Sequence, residues 1–301
     1  MNALYATALS IGINPERLPL NPVVGKFYRL QAINKPSSDK SCYIKFMAQG
    51  VAVLGNWSTG DKVTHFDDKP TDKAELDRLQ KEAKAAQAQA YREQVKAWEE
   101  AAISARTIWF DYSTSPDLTH PYLIKKRLKP YGLTLFRGSL VVPVYSLVDS
   151  KIQSLQFIEA NGDKRFLTGG KTTGGYFAAR AYRTGEQIVI SEGWATSQSL
   201  AQHWHIEGWH ICAFNAGNLI TVAKAIRQRY PFAKIVIAAD NDVSGVGQVQ
   251  AAKAAKAVGA IVSMPEFTAE ERSFYGKVSD WQDRWVIDQW INIKESLRYE
   301  D

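Results

Sequence analysis

Cysteine occurs only twice in the 301 residues, as Cys42 and Cys212, each alone among apolar neighbours. That count excludes a disulfide framework and a zinc ribbon, so zinc is not expected and a cytoplasmic location is. No apolar run approaches the roughly 20 residues of a membrane-spanning helix, and no membrane partner is expected. The start of the chain also lacks the basic, apolar and small-residue layout of a secretion signal. His203 and His205 have no cysteine cluster to join and read as surface residues rather than metal ligands. A nucleotide-binding P-loop is missing too. Thr168-Gly169-Gly170-Lys171-Thr172 has its Gly-Lys pair, but Arg165 stands where the motif needs its first glycine. The stretch reads as a Gly-rich turn, and no ATPase is expected.

What is present is an ordinary globular composition, 45% hydrophobic and 23% charged, long enough for two domains. A formal charge of +6 favours a polyanionic partner. Residues 1–68 alternate like a small β-rich module, with strands around Val24–Leu30, Ser41–Phe46 and Val51–Trp57. Lys26, Arg29, Lys45 and Trp57 would there set cations beside a stacking platform. Residues 69–113 change to Ala, Gln, Glu and Lys, with neither Gly nor Pro from Thr71 to Trp109. This reads as one long helix capped at Thr71 or Asp72, with Glu75 in its first turn. Leu76, Leu79, Ala83, Ala86, Ala90, Val95 and Trp98 form an irregular apolar stripe along it. Residues 114–183 form a basic α+β segment, in which Lys125, Lys126, Arg127 and Lys129 surround a short helix. Strands follow near Arg137–Val144 and Ile152–Ile158, then a hairpin into Lys164–Leu167.

Residues 184–284 alternate strand and helix, which predicts a parallel sheet with helical crossovers. Two of its strands end abruptly in acids: Ile188-Val189-Ile190-Ser191-Glu192-Gly193 and Ile235-Val236-Ile237-Ala238-Ala239-Asp240-Asn241-Asp242. Ligands of open α/β sheets bind at the carboxyl ends of the strands. Strands lie about 4.8 Å apart, so acids from neighbouring ends can share one cation. Without a cation such a cluster repels itself. A hard divalent ion, magnesium or manganese, suits carboxylate oxygens best. Asp280 and Asp283 follow the last strand, where either a metal role or a helix cap at Ser279 or Asp280 is open. Residues 285–301 read as a C-terminal amphipathic helix.

Glu192-Gly193-Trp194-Ala195-Thr196 after one strand and Asp240-Asn241-Asp242 after another resemble the TOPRIM domain of bacterial primases, topoisomerases and some nucleases. The order His120-Pro121-Tyr122-Leu123, Val141-Val142-Pro143-Val144, Ser154-Leu155-Gln156-Phe157-Ile158 and Lys164-Arg165-Phe166-Leu167 is similar to primases of phages, plasmids and related mobile elements. That resemblance extends from His120 to Asp283, and more loosely over the N-terminal module. It implies a TOPRIM-type sheet flanked by helices, preceded by the basic α+β subdomain, the long helix and the β-rich module.

The resemblance further implies a DNA primase making short RNA primers on single-stranded DNA from ribonucleoside triphosphates, with a replicative helicase supplied in trans. Glu192, Asp240 and Asp242, with Asp280, would hold the metal. Lys164 and Arg165 would meet nucleotide phosphates or the template. Lys125, Lys126, Arg127, Lys129, Arg137 and Lys171 would hold the template backbone. Replicative bacterial primases tend to carry an acid where Thr196 stands, which implies fewer carboxylates here. The same layout also admits a metal-dependent nuclease, or a non-catalytic single-strand binding or recombination-mediator module.

Overall fold

The computed structural model describes residues 3–48, 50–56, 59–67, 73–243 and 245–296. Trp57, Thr71 and Asp72 lie outside these residues, and so do the side chains of Glu75, Leu76, Leu79, Ala83 and Ala86. The chain divides into two compact units, Met1–Lys96 and Ala97–Asp301.

The first unit opens with helix α1 (Ala3–Ser10) and continues into strands β1 (Phe27–Leu30), β2 (Cys42–Ala48), β3 (Val51–Asn56) and β4 (Lys62–Phe66). Neither α1 nor β4 is signalled by the alternation in the sequence. The strands form an antiparallel sheet in the order β1-β2-β3-β4. Side chains alternate across a strand, and one face carries Leu30, Cys42, Ile44, Ala52 and Leu54 into a core shared with Ala8 and Ile13. Helix α2 (Lys73–Thr107) spans the division between the units and ends in a π-helical turn, Ile108–Tyr112. Its Ala-, Gln-, Glu- and Lys-rich composition suits a helix throughout.

The second unit holds two sheets. After α3 (Pro121–Lys126), the strands β5 (Thr134–Phe136), β6 (Ser139–Ser146), β7 (Ile152–Ile158) and β8 (Lys164–Phe166) pair antiparallel in sequence order. The two-residue β9 (Gly175–Tyr176) adds to β6, where the sequence shows only a Gly-rich turn. The glycines of that turn serve packing. A Cβ on Gly170 would collide with Ser154 Oγ, and one on Gly175 with Val144.

The other sheet is parallel, in the order β11-β10-β12-β13, from β10 (Ile188–Ser191), β11 (Trp209–Cys212), β12 (Ile235–Ala238) and β13 (Ile261–Ser263). Helices α4 (Trp194–Gln202), α5 (Ala216–Arg229), α6 (Val246–Val258), α7 (Ala269–Tyr275) and α8 (Trp281–Ser296) accompany it. Ile188, Ile190, Ile211, Ile235 and Ile237 pack on one face against Leu219, Val222, Ala251 and Ala254 of α5 and α6. On the other face Val189 and Ala238 meet Leu200, Trp204 and Trp281. This is the α/β architecture that the sequence predicts.

A separate core joins the two sheets. Leu140, Val142, Val144 and Ile158 of the antiparallel sheet share it with Trp194, Ala195, Cys212 and Phe214, and with Tyr122 and Leu123 of α3. Trp194 is wholly buried there. The antiparallel sheet and the parallel sheet are therefore one packed body, which sets β8 and α3 beside the carboxyl ends of β10 and β12.

Candidate active site

Strands β10 and β12 are parallel neighbours, with Ser191 opposite Ala238. Glu192 is the next residue after β10, and Asp240 and Asp242 follow β12, so the acids emerge at one sheet edge. The Asp-Asn-Asp turn is pinned by Asn241. Its N–H donates to the Ser279 carbonyl at 2.6 Å, and its Nδ2 donates to the Pro265 carbonyl at 2.9 Å. Gln248 Nε2 donates to Asn241 Oδ1, at 3.1 Å, and to the Asp242 carbonyl, at 2.8 Å. The bond to Ser279 brings the neighbouring Asp280 toward Asp240.

Asp280 also caps α8. Its Oδ1 accepts the Asp283 N–H at 2.8 Å, and Asp283 Oδ2 accepts the Ser279 N–H at 2.9 Å. The cap and the acid site thus share one residue, and the two openings left by the sequence are not exclusive.

The carboxyls perturb one another. Burial pushes Asp240 up to about 8, and the negative charges of Asp280 and Glu192 add to the shift, while Lys164 opposes it. Burial also raises Glu192, reinforced by Asp242 and opposed by the Ala216 N–H and Lys164. Asp280 is raised by burial and held back by Lys126. Among the described residues, buried Asp240 Oδ1 has no hydrogen-bond partner. Such an orphaned, desolvated oxygen is costly unless something positive meets it.

Lys164 and Arg165 separate at this point. Lys164 is exposed on β8 and reaches Glu192, Asp240 and Asp280 electrostatically. Arg165 alternates onto the opposite face. It donates to Glu159 Oε1 at 3.1 Å and lies 4.4 Å from the Phe157 ring centroid. The structure does not bring Arg165 to the acids.

The cations expected from the sequence to hold a template also divide. Lys125, Arg127, Lys129 and Arg137 are exposed, with Arg127 over the Trp285 ring and Arg137 over Phe136. Lys126 instead turns inward, 3.6 Å from Asp283 Oδ1 and 3.9 Å from Asp280 Oδ2. Lys171 is half-buried over the Trp98 ring, at 5.0 Å. His203 corrects the sequence reading: it is half-buried and stacks on Trp285 at 3.8 Å, while His205 is exposed.

The donor set of carboxylate oxygens and the orphaned Asp240 Oδ1 fit a hard divalent cation in chemistry. They do not close a cage. Among the described residues no group of three or more His, Cys, Asp or Glu side chains is placed to hold a metal ion. Like charges spread unless a cation draws them together.

No family model matches the chain. The DNA primase TraC of Escherichia coli is 31% identical over 218 residues, 67% of this chain and 20% of the relative. A second Escherichia coli DNA primase TraC is 31% identical over 143 residues, 44% of this chain and 10% of its own length. The chain shares partial, weak homology with DNA primases. It spans about a fifth of the length of the first of these relatives. Among solved structures, the primase fragment of the bacteriophage T7 primase-helicase protein gives a TM-score of 0.40 at 14% identity, covering 60% of this chain and 80% of that chain. A bacteriophage T7 lagging-strand DNA polymerase structure that includes primase domains bound to an RNA/DNA hybrid gives 0.36 at 16%, covering 52% and 80%.

The residues that position this acid site carry no signal in sequence order. Gln282 is wholly buried and donates to the Lys126 carbonyl at 2.7 Å. Gln202 bonds Lys129 twice, accepting its N–H at 2.8 Å and donating to its carbonyl at 3.0 Å. Together they fasten the end of α3 to α4 and α8.

Proposed function

We propose that this chain synthesises short RNA primers on single-stranded DNA by metal-dependent nucleotidyl transfer, for replication of a phage, plasmid or related mobile element. The observation that carries the reading is the convergence of Glu192, Asp240 and Asp280, from three separate elements, to within electrostatic reach of one another and of Lys164 from a different sheet. The TraC similarity over 67% of the chain supports it.

The reaction is attack by a 3′-hydroxyl on the α-phosphate of a ribonucleoside triphosphate, with pyrophosphate leaving. Its barrier is largely electrostatic, because negative charge builds on the attacking and leaving oxygens. Glu192, Asp240, Asp242 and Asp280 are the residues that would hold magnesium or manganese in a TOPRIM-type site. When bound, such an ion neutralises charge on the phosphates. Lys164 supplies a fixed positive charge to the triphosphate from the opposite wall. Lys125, Arg127, Lys129 and Arg137 carry the template backbone as point charges with little sequence reading. Lys171 extends that path, and Arg165 contributes only from the far face of β8. A replicative helicase acting in trans would expose the template.

The test is incubation with single-stranded DNA, ribonucleotides and magnesium, followed by sizing of labelled products. Short RNA is the expected result. Degraded template would replace this reading with a nuclease, and retention of the strand without product would replace it with a binding module.

A further inference from the structure

The second unit holds a recess at the end of its parallel sheet away from the acids. Trp209 opens β11 opposite Ile188, the first residue of β10, whereas Glu192 leaves β10 at its other end. Tyr145 of β6 and Tyr176 of β9, which are register partners, line the recess from the antiparallel sheet. Tyr182 and Tyr230 complete the lining, around a volume of about 360 Å³.

The five rings form a continuous series. Tyr182 lies 4.3 Å from Tyr230 and 5.6 Å from Trp209 between ring centroids. Trp209 lies 6.2 Å from Tyr176, and Tyr176 lies 5.9 Å from Tyr145. Tyr176 and Trp209 are buried, while Tyr145, Tyr182 and Tyr230 are half-buried and keep part of their surface open.

Charge at the recess is of one sign. No carboxylate lines it, and its charged groups are Arg180 and Arg229. Arg180 is engaged: its guanidinium donates to both Glu186 oxygens, at 2.8 and 2.5 Å, and to the Ala181 and Gly208 carbonyls, at 2.9 and 2.7 Å. Arg229 is exposed, 5.8 Å from the Tyr230 ring centroid, and enters no ion pair among the described residues. The recess therefore offers stacking surface beside one available cation.

A flat aromatic ligand that carries an anion suits this set. Rings hold a nucleobase by stacking, and a guanidinium meets a phosphate with paired N–H donors. The volume falls in the range of about 300–1,000 Å³ usual for small-molecule sites. An acidic peptide is served less well, because the outer edge of β11 is already bonded. Cys212 and Phe177 exchange N–H and carbonyl there, both at 2.9 Å, which blocks main-chain pairing with an added strand.

We infer that this recess binds a mononucleotide, its base against Tyr182, Trp209 and Tyr230 and its phosphates on Arg229. The site lies at the opposite end of the sheet from the acids. It goes beyond primer synthesis and does not depend on it, since stacking and charge alone choose the ligand.

The test titrates the full chain with ATP in EDTA by isothermal calorimetry. Arg229→Ala, an exposed change, is expected to weaken ATP about tenfold or more and to leave adenosine unaltered. Tyr182→Ala/Tyr230→Ala is expected to weaken both ligands about tenfold or more. A second measurement needs no variant: 8-azido-ATP should photolabel wild-type peptides that contain Tyr182 or Tyr230, and excess ATP should suppress the label. Label confined to peptides holding Lys164, Glu192 or Asp240 would overturn the inference, as would equal ATP affinity of Arg229→Ala and wild type. So would displacement of the label by tripolyphosphate, oligo-dT or an acidic tryptophan peptide at lower concentration than by ATP. Primer synthesis is a separate readout. RNA product from a chain that takes no label at Tyr182 or Tyr230 would sink this inference alone.

Discussion

At the scale of single residues, Asp240 decides most. Its carboxyl is raised from 3.8 to about 8 by burial and by neighbouring negative charge. The folded metal-free chain therefore keeps a proton that the unfolded chain releases above about pH 4. Its contribution to stability is present below the unfolded value and falls as the pH rises toward about 8. The midpoint of thermal unfolding in EDTA should drop over that window, and the drop should vanish in Asp240→Asn. Magnesium added at pH 8 should restore the midpoint in the wild type, because metal binding and proton loss are linked. Asp240→Asn should also lower primer synthesis by about 10²-fold or more, while DNA binding is unchanged or tighter. Equal product yield from the variant would remove Asp240 from the chemistry.

Lys126 belongs to the same scale. At 3.6 and 3.9 Å its ammonium is held by charge rather than by a direct hydrogen bond. Lys126→Met should destabilise the metal-free chain and tighten Mn²⁺ binding in calorimetry, because an internal competitor for Asp280 is gone. Lys126→Arg should restore both. A loss of stability with unaltered Mn²⁺ affinity would reduce Lys126 to a structural cation.

At the scale of elements, much was legible in advance. Strands β10 and β12 declare themselves because β-branched runs buried on both faces end in carboxylates. The separation of Lys164 from Arg165 was legible as well, since adjacent residues of a strand point to opposite faces. Lys126 follows Tyr122 and Leu123 at helical spacing, and both are buried, so its inward turn also had a signal. Short elements were not legible: the two residues of β9 carry no period. Nor were the amide clamps, whose partners lie far along the chain. Asn218 is one of these. Its Oδ1 accepts the Gly174 N–H at 2.8 Å, and its Nδ2 donates to the Gly175 and Ala213 carbonyls at 2.8 and 2.9 Å. Asn218→Ala strands these groups and should cost about 2–4 kcal/mol in urea unfolding. A cost within 0.5 kcal/mol, an insignificant change on this scale, would mean that the loop relaxes freely.

At the scale of the whole molecule, the two sheets of the second unit share the core around Trp194. Trp194→Ala should destabilise by about 3–5 kcal/mol. Hydrogen exchange should report the loss in β7 and β12 alike, as expected of one cooperative body. Loss confined to β10–β13 would show that the sheets unfold independently. The length of the chain allows two domains but gives no sign of this fusion, because shared burial between distant segments leaves no local period.

Asn241 gives the acid turn a mechanical neighbour. Its amide N–H hangs on the Ser279 carbonyl, immediately ahead of α8, so the turn is tied to the start of that helix as a pin to its hinge. Whatever seizes α8 from outside would tug on Asp240 and Asp242, and a protein grasping that helix would have a handle on these acids without touching them.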